Sequence, residues 1–311
     1  MGLGLGHLGQ PTEVVAAAQP FFALIAASLL PALLFQVLRQ FTDSLGRPWL
    51  PMAIMLGGVA LNVGLNWVLI YGHLGVPALG LTGAGISTLV ARTADLGLLW
   101  LCLRRDPVAQ RHWPAGWGGP LQRARLTQFL RLGVPASGQL LCEVGAFSGA
   151  AWMMGRLGTV ALAAHQIALS CASTTFMVPL GLSMAAGMRI SQAVGARRPE
   201  TLRPIGLGAF GLALTAMGGF ALVFALGGHA IATSFVGDAE VVTLAVRLLA
   251  VAAVFQLFDG TQVVGAALLR GLADMKVPTA ITFVAYWVMM LPLAYVWGVR
   301  GHNPAGVWGA L

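Results

Sequence analysis

The chain consists of long apolar runs separated by short polar connections. Each run is about 20 residues long, the length that an α-helix needs to cross the hydrocarbon core of a bilayer. A β-barrel would instead show segments of alternating hydrophobicity. The pattern therefore predicts an all-α polytopic membrane protein whose eight spans lie at residues 17–38, 50–71, 79–102, 132–154, 161–187, 205–228, 241–268 and 279–298.

The composition supports a membrane protein and excludes several chemistries. Hydrophobic residues make up 58% of the chain and charged residues 9%, whereas a soluble domain carries about 25% charged residues. Cys102, Cys142 and Cys171 lie far apart in apolar runs and match no metal or redox spacing. The sequence shows no nucleophile–base pair, no H-E-x-x-H motif and no phosphate loop. We therefore expect neither an enzyme nor a resident cofactor.

Arginine is concentrated in alternate connections. Residues 39–47, 103–131, 189–203 and 269–278 are basic, and the connections between them are short or acidic. The positive-inside rule places these four segments in the cytoplasm, in a multi-pass protein of the cytoplasmic membrane. Orientation thus accounts for the net charge of +8, and we expect no nucleic-acid partner. The basic stretch at 103–131 predicts a linker between a three-span part, 1–102, and a five-span part, 132–311.

Three acidic residues interrupt the apolar runs: Asp95, Glu143 and Asp259. A carboxylate inside a bilayer is costly unless it is paired, hydrated or protonated, and it usually marks an ion or substrate pathway. Asp95 follows Arg92 by three residues, so we expect these two to neutralise each other. Glu143 and Asp259 are the stronger candidates for exchanging a proton against a cation. Their alternative role is that of protonated acids in helix packing.

The chain also repeats itself. EVVAAA at 13–18 resembles EVVTLA at 240–245, an offset of 227. LRQFTDSLGRPWLP at 38–51 resembles LRGLADMKVPTA at 269–280, which aligns Arg39 with Arg270 at an offset of 231 and makes Ser28 the counterpart of Asp259. Internal repeats are typical of secondary transporters, whose sites lie between the repeats. Two copies of this period exceed 311 residues, so we expect the chain to be part of a longer protein.

Five stretches together resemble the multidrug and toxic compound extrusion (MATE) family, and its NorM-like branch best. They are LRQFTDSLGRPWLPMA, NVGLNWVLIYGHLGVPALGLTGAGIST, LGVPASGQLLCEVGAF, ALAAHQIALSCASTTFMVPLGLSMAAGMRISQAVGA and FQLFDGTQVVGAALLRGLADMKVPTAITFVAYWVMMLP. The resemblance implies twelve helices in two six-helix lobes related by pseudo-twofold symmetry, of which this chain would supply helices four to eleven. It also implies export of cationic, amphipathic small molecules in exchange for Na⁺ or H⁺, within membrane lipid.

The resemblance further implies that Glu143, in QLLCEVGAF, and Asp259, in FQLFDGTQVV, couple transport to the cation and are candidate Na⁺ ligands. The family's acid in helix one has no counterpart here. Polar and aromatic residues within the spans are candidate cavity-lining residues, with helix or lipid packing as the alternative. They are Asn62, Asn66, His165, Gln166, Phe176, Met177, Phe255, Phe258, Gln262 and Tyr286.

Three other functions stay open from the sequence. An intramembrane enzyme would need paired catalytic groups near one leaflet, an arrangement that Glu143 and Asp259 on separate helices could imitate. A lipid-linked oligosaccharide flippase of the same superfamily would need several cationic residues facing its cavity, whereas only Arg92 and Arg247 lie clearly within spans. An inactive fragment of a transporter would share every feature above, and a transport assay would distinguish it.

Overall fold

The computed structural model describes residues 12–113 and 122–310, and every regular element in these two ranges is helical. The helices form two compact units, Met1–Gly119 and Pro120–Leu311. The boundary between the units falls inside the predicted linker at 103–131. Residues 114–121 of that linker lie outside the described residues.

The first unit contains three long helices and one short one. Helix α1 spans Thr12–Ser44, α2 spans Trp49–Tyr71, α3 spans Gly80–Arg105 and α4 spans Pro107–Arg111. Helix α3 is the central element because α1 and α2 both pack mainly against it. The apolar core of this unit lies where α1 and α3 end. The buried residues there are Phe35, Leu38, Leu99, Leu103 and Ala109.

Charged and aromatic contacts order the start of the predicted linker. Arg47 forms an ion pair with Asp106. The side chain of Asp106 also caps α4 by accepting a hydrogen bond from the backbone N–H of Val108 at 2.9 Å. The guanidinium of Arg104 lies 4.7 Å from the ring centroid of Trp100. Helical structure therefore continues further into 103–131 than the apolar pattern predicts.

The predicted pairing of Arg92 with Asp95 is wrong. Arg92 Nη1 donates instead to Ser28 Oγ on α1 at 2.8 Å. The carboxylate of Asp95 turns toward α2, where it occupies the space that Gly58 leaves by lacking a side chain. Two different neighbouring helices thus draw the two side chains apart, because α1 offers a hydroxyl acceptor and α2 offers a gap.

The second unit begins with four long helices. Helix α5 spans Arg123–Leu157, α6 spans Thr159–Gly195, α7 spans Leu202–Phe235 and α8 spans Ala239–Gly271. A single 3₁₀ turn at Pro199–Thr201 leads into α7. Helix α8 packs mainly against α6 and α7, and α5 packs mainly against α6 and the helix that follows α8.

The last long helix of the unit is irregular. It begins as α9, Lys276–Phe283, and contains the short α-helical segment α10, Leu291–Ala294. Segments of π-helix lie on either side of α10, at Val284–Met290 and Tyr295–Arg300. Pro292 in α10 has no backbone N–H, which interrupts the regular hydrogen-bond ladder. The short helix α11, Pro304–Gly309, then packs against α8 and α5.

Glycine allows α6 and α8 to approach closely. A Cβ at Gly271 would lie 2.7 Å from the carbonyl oxygen of Gly187, and a Cβ at Gly187 would lie 3.0 Å from that of Ala267. Along the same interface, Thr175 Oγ1 donates to Gln256 Oε1 at 3.0 Å. These contacts fix the position of α8, and with it the position of Asp259.

Seven of the described helices are long and apolar enough to cross a membrane, whereas the sequence predicts eight spans. The predicted span at 132–154 is indeed helical, within the 35 residues of α5. Its hydropathy is lower because Gln139, Glu143 and several glycine and serine residues interrupt the apolar run. This polarity distinguishes α5 from the other long helices of the chain.

Helix ends support the internal repeat at a single offset of 227. Residues 12–44 of α1 correspond to residues 239–271 of α8, and α2 begins at residue 49 where α9 begins at residue 276. Gly46 and Ala273, also 227 apart, are both left-handed, with φ of 74° and 62°. The backbone hydrogen bonds around these two residues follow the same pattern.

The alignment of Arg39 with Arg270 at an offset of 231 is therefore wrong. At an offset of 227, the counterpart of Asp259 is Ala32 rather than Ser28. The repeated Arg-x-x-x-Asp spacing was misleading because the turn geometry, and not this pair of charges, fixes where the helices end. The acid at residue 259 still belongs to one copy of the repeat.

Candidate functional site

The two predicted coupling acids line one cavity of the second unit. The cavity has a volume of about 580 Å³, and its wall is formed by α5, α6 and α8. Glu143 on α5 is partly buried, and Asp259 on α8 is 8% exposed. An adjoining recess of about 150 Å³ is lined by the same two acids. The fold thus brings together carboxyl groups that lie on separate helices and far apart in the sequence.

Two helix faces converge on this acid cavity. On α5, Gln139, Glu143 and Phe147 recur at four-residue intervals and share one face. On α8, Asp259 and Arg270 are eleven residues apart. At 3.6 residues per turn, their directions around the helix axis differ by about 20°, so they lie on nearly the same face. The spacing of the polar residues therefore explains why these side chains meet.

Helix α5 is held in place by donors from the last long helix. Thr279 Oγ1 donates to the carbonyl oxygen of Pro135 at 3.0 Å. Trp287 Nε1 donates to the carbonyl oxygen of Cys142 at 3.1 Å, one residue before Glu143. Trp287 also packs on Gly145, where a Cβ would lie 3.0 Å from its ring. The two hydrogen bonds fix α5 at the start of the stretch that faces the cavity and again within it.

The charges around the cavity are unbalanced. Arg270 Nη1 donates to Gln139 Oε1 at 3.4 Å, and its guanidinium attracts Glu143 without forming a close ion pair. Glu143 and Asp259 repel each other. Arg270 is the one cationic residue that lines the cavity within the described part of the chain. When both acids are ionised the site has an excess negative charge, which a bound proton or cation would neutralise.

Aromatic side chains form much of the remaining wall. Phe147 and Phe176 line both the cavity and the adjoining recess, and Phe255 lines the recess. The ring centroids of Phe147 and Phe255 are 6.4 Å apart, and those of Phe147 and Tyr286 are 6.2 Å apart. Tyr286 is buried behind Phe147 and interacts electrostatically with both acids. Gln262 adds an amide to the cavity wall.

The structure places other predicted residues elsewhere. His165 is fully buried in the core, where its Nδ1 accepts a hydrogen bond from Trp308 Nε1 at 3.0 Å. Gln166 and Met177 are exposed on α6. Phe258 is 71% exposed and lines a separate apolar recess.

In the first unit, Asn66 Nδ2 donates to Asn62 Oδ1 at 3.0 Å. The two amides thus form a pair on one face of α2, as their i, i+4 spacing predicts.

Gln139, Phe147 and Arg270 are among the cavity-lining residues that sequence reasoning missed. Helical spacing carried the necessary signal, because Gln139 and Phe147 lie one turn before and after Glu143. Arg270 was assigned to a cytoplasmic connection, although its eleven-residue distance from Asp259 places both on one face of α8.

The described residues contain no group of three or more His, Cys, Asp or Glu side chains that could hold a metal ion. A hard monovalent cation such as Na⁺ takes oxygen ligands. The oxygen-bearing side chains that line the cavity are two carboxylates, two amides and one hydroxyl, from Glu143, Asp259, Gln139, Gln262 and Ser148. A cation site here would therefore draw on carboxylate oxygens together with neutral oxygens.

Comparison with known proteins gives a consistent result. The MatE family model matches residues 135–296. A protein named probable multidrug resistance protein NorM from Mesorhizobium japonicum is 36% identical over 97% of this chain and 66% of its own length. A protein of the same name from Pseudomonas putida is 40% identical over 97% of this chain and 67% of its own length. The chain thus spans about two thirds of the length of these relatives.

Solved structures share the fold. The Vibrio cholerae MATE transporter VcmN in the bent form has a TM-score of 0.86 at 20% identity, covering 98% of this chain and 68% of that one. An outward-facing multidrug resistance MATE family transporter of the MOP superfamily has a TM-score of 0.86 at 22% identity, covering 98% and 67%. At these identities the similarity concerns the arrangement of helices alone.

Proposed function

Because this chain belongs to the MatE family of membrane transporters, we propose that the protein exports cationic, amphipathic compounds across the cytoplasmic membrane in exchange for Na⁺ or H⁺. Glu143 and Asp259 bind the coupling cation. The NorM relatives are named as multidrug resistance proteins, which supports small-molecule substrates for this chain as well.

One observation carries the proposal: two carboxyl groups from different helices line a single cavity whose remaining wall is largely apolar and aromatic. Carboxylates attract a cation, and aromatic faces attract organic cations by cation–π contact, most strongly where water is excluded. The same wall therefore suits a small inorganic cation and the positively charged end of a flat drug.

Exchange follows from the charge balance of the cavity. With both acids ionised and Arg270 charged, the cavity has one net negative charge, which attracts a cationic substrate. A proton or Na⁺ at the acids removes this charge and with it the attraction for the drug. The two cations thus compete for one site, which is the requirement for coupling their opposite movements.

Arg270 and Gln139 position one of the two acids. Their hydrogen bond joins α8 to α5 across the cavity and keeps the guanidinium near Glu143 but outside close contact with it. A closer ion pair would neutralise Glu143 permanently and make it unavailable to the coupling cation. The Gln139 amide therefore keeps the arginine near the site while leaving the acid free to bind.

The flippase alternative is less well supported by this cavity. A lipid-linked oligosaccharide carries an anionic diphosphate, which requires a cluster of cationic residues. Arg270 is accompanied in the cavity wall by two acids. Arg92 is bonded to Ser28, and Arg247 is exposed on α8.

The proposal is tested by gradient-driven transport of ethidium, a flat aromatic cation, in everted membrane vesicles from an efflux-deficient bacterium. Glu143→Gln and Asp259→Asn preserve shape and remove the ionisable group. We expect each to reduce transport to the level of vesicles that lack the protein. Separate Na⁺ and pH gradients identify the coupling ion.

Glu240→Gln is a matched control because Glu240 is exposed in the first turn of α8, away from the cavity. It should transport ethidium at the wild-type rate. Wild-type transport by Asp259→Asn would contradict the coupling role and leave that acid a packing group. Absence of transport by the wild-type chain under either gradient would favour the inactive-fragment alternative.

A further inference from the structure

Asp95 is an acid within the membrane that the proposed transport cycle does not use. It lies on α3, fifteen residues after Gly80 and ten before Arg105, or about 22 Å and 15 Å from the helix ends at roughly 1.5 Å per residue. The hydrocarbon core of a bilayer is about 30 Å thick. Asp95 therefore lies near the middle of a membrane-spanning helix.

One carboxylate oxygen of Asp95, Oδ1, is enclosed by protein and has no hydrogen-bond partner among the described residues. The neighbouring surface of α2 at this point is Gly58. A Cβ at Gly58 would lie 2.5 Å from Cγ of Asp95 and would overlap both carboxylate oxygens. The carboxyl group thus fits a space that exists only because residue 58 is glycine.

The cationic side chains of the first unit bind other groups. Arg92 Nη1 bonds Ser28 Oγ, and Arg39 forms an ion pair with Asp43 at 3.7 Å while its Nη1 contacts Met55 Sδ at 3.6 Å. Within α1–α4, no nitrogen of a Lys, Arg or His side chain lies within 4 Å of the Asp95 carboxylate.

Apart from Glu13, in the first turn of α1, the other charged groups of these helices lie at or beyond the end of α3. Arg47 and Asp106 form an ion pair with each other there, and the remaining charged residues are Arg104, Arg105 and Arg111. None of these groups lies within 4 Å of Asp95. A partner from outside the unit could reach only Oδ2, because Oδ1 is enclosed.

The surroundings of Asp95 suit a proton better than a metal cation. A hard cation takes several oxygen ligands, whereas α2 presents a glycine at this point, and its two asparagines further along bond each other. A proton needs one oxygen and removes the charge that makes an enclosed carboxylate costly in the membrane. We propose that Asp95 is a proton-binding site of the first unit, protonated while its carboxyl group is seated against Gly58.

This site is separate from the cavity of Glu143 and Asp259, and it does not depend on the proposed transport function. Loss of the proton would create a charge in the gap between α2 and α3, which would favour movement of the carboxyl group away from Gly58. The contact between these helices is therefore expected to respond to protonation of Asp95.

Infrared spectroscopy of the protein in lipid nanodiscs at neutral pH tests this proposal directly. A protonated carboxyl group gives a C=O stretch that is distinct from the carboxylate bands and moves on exchange into D₂O. We expect Asp95→Asn to lose intensity from this acid band. Asp43→Asn, which removes the acid paired with Arg39, should lose carboxylate intensity instead. Loss of carboxylate bands in Asp95→Asn would overturn the proposal.

Two neighbouring glycines provide a matched pair of variants that retain the acid. Gly58→Ala should expel the carboxyl group and convert its acid band into carboxylate bands, whereas Gly57→Ala has nothing within 4 Å of the added Cβ and should leave the spectrum unchanged. An unaltered acid band in Gly58→Ala would contradict the placement of the protonated Asp95 carboxyl group against Gly58.

A third measurement leaves Asp95 and both glycines in place. When aspartate is labelled with ¹³C, the acid band of a protonated aspartate is shifted. This shifted band should persist in the Asp259→Asn variant, in which Asp95 is the remaining intramembrane aspartate. Its absence would also refute the site.

Discussion

Replacing Trp308 with phenylalanine is expected to destabilise the second unit through one hydrogen bond. Trp308 and His165 are both fully buried, and Trp308 Nε1 donates to His165 Nδ1 at 3.0 Å. Because Nδ1 accepts, the proton of the neutral imidazole lies on Nε2. Phenylalanine can preserve the edge contact with Phe255, whose ring centroid is 6.1 Å from that of Trp308, but it provides no donor.

The expected cost follows from the buried nitrogen that loses its partner. An unsatisfied buried acceptor costs about 1–3 kcal/mol, and the smaller ring adds about 24 cal/mol for each Å³ of cavity it leaves. For a unit of this size, each kcal/mol lowers the unfolding midpoint by about 2–4 °C. The hydrogen bond alone thus corresponds to a decrease of about 2–12 °C.

The assay is thermal unfolding of the detergent-purified protein, followed by loss of its helical circular dichroism. Trp297→Phe is the control because Trp297 is 52% exposed, and its midpoint should remain near that of the wild type. A double-mutant cycle with His165→Leu removes the packing contribution, and we expect a coupling energy of at least about 1 kcal/mol. Strictly additive effects would show that the two rings pack together without a stabilising hydrogen bond.

Two further predictions concern orientation and helix packing. In a protein without its native cysteines, Gly195→Cys should react with a membrane-impermeant maleimide only from the cytoplasm, and Phe235→Cys should react only from outside. External labelling at residue 195 would refute the arginine-based topology. Gly271→Ala should cost about 1–3 kcal/mol by overpacking, because its Cβ would lie 2.7 Å from the Gly187 carbonyl oxygen. Gly195→Ala, with nothing within 4 Å of the added Cβ, is its control, and equal unfolding midpoints for the two variants would contradict this account of the interface.

The long helices were predictable because a run of about 20 apolar residues has few other stable forms in a membrane. The family motifs led to the MATE fold and the NorM-like branch, and the comparisons confirm both. Glu143 and Asp259 were conspicuous because each is an acid inside an apolar run. The structure places both in one cavity, while their role in cation coupling stays a proposal.

Contacts between helices were less predictable, because helical spacing defines a face without naming the helix that will cover it. Arg92 and Asp95 share a broad face of α3, yet Ser28 and Gly58 on two other helices determine their partners. His165 is polar within an apolar run, as a cavity-lining residue would be. Its partner, Trp308, is 143 residues away, and nothing local to either residue indicates that they meet.

Three of the left-handed residues that follow long helices have a consequence for engineering this protein. Gly46 adopts its conformation freely, whereas Arg197 and Ala273, with φ of 53° and 62°, do so at about 1–2 kcal/mol each because of their Cβ atoms. Glycine at either position would remove that strain and so stabilise the folded protein. The gain would be reduced by the conformational entropy that glycine adds to the unfolded chain. Both positions lie in connections away from the acid cavity wall, so they are natural starting points for a thermostabilised variant.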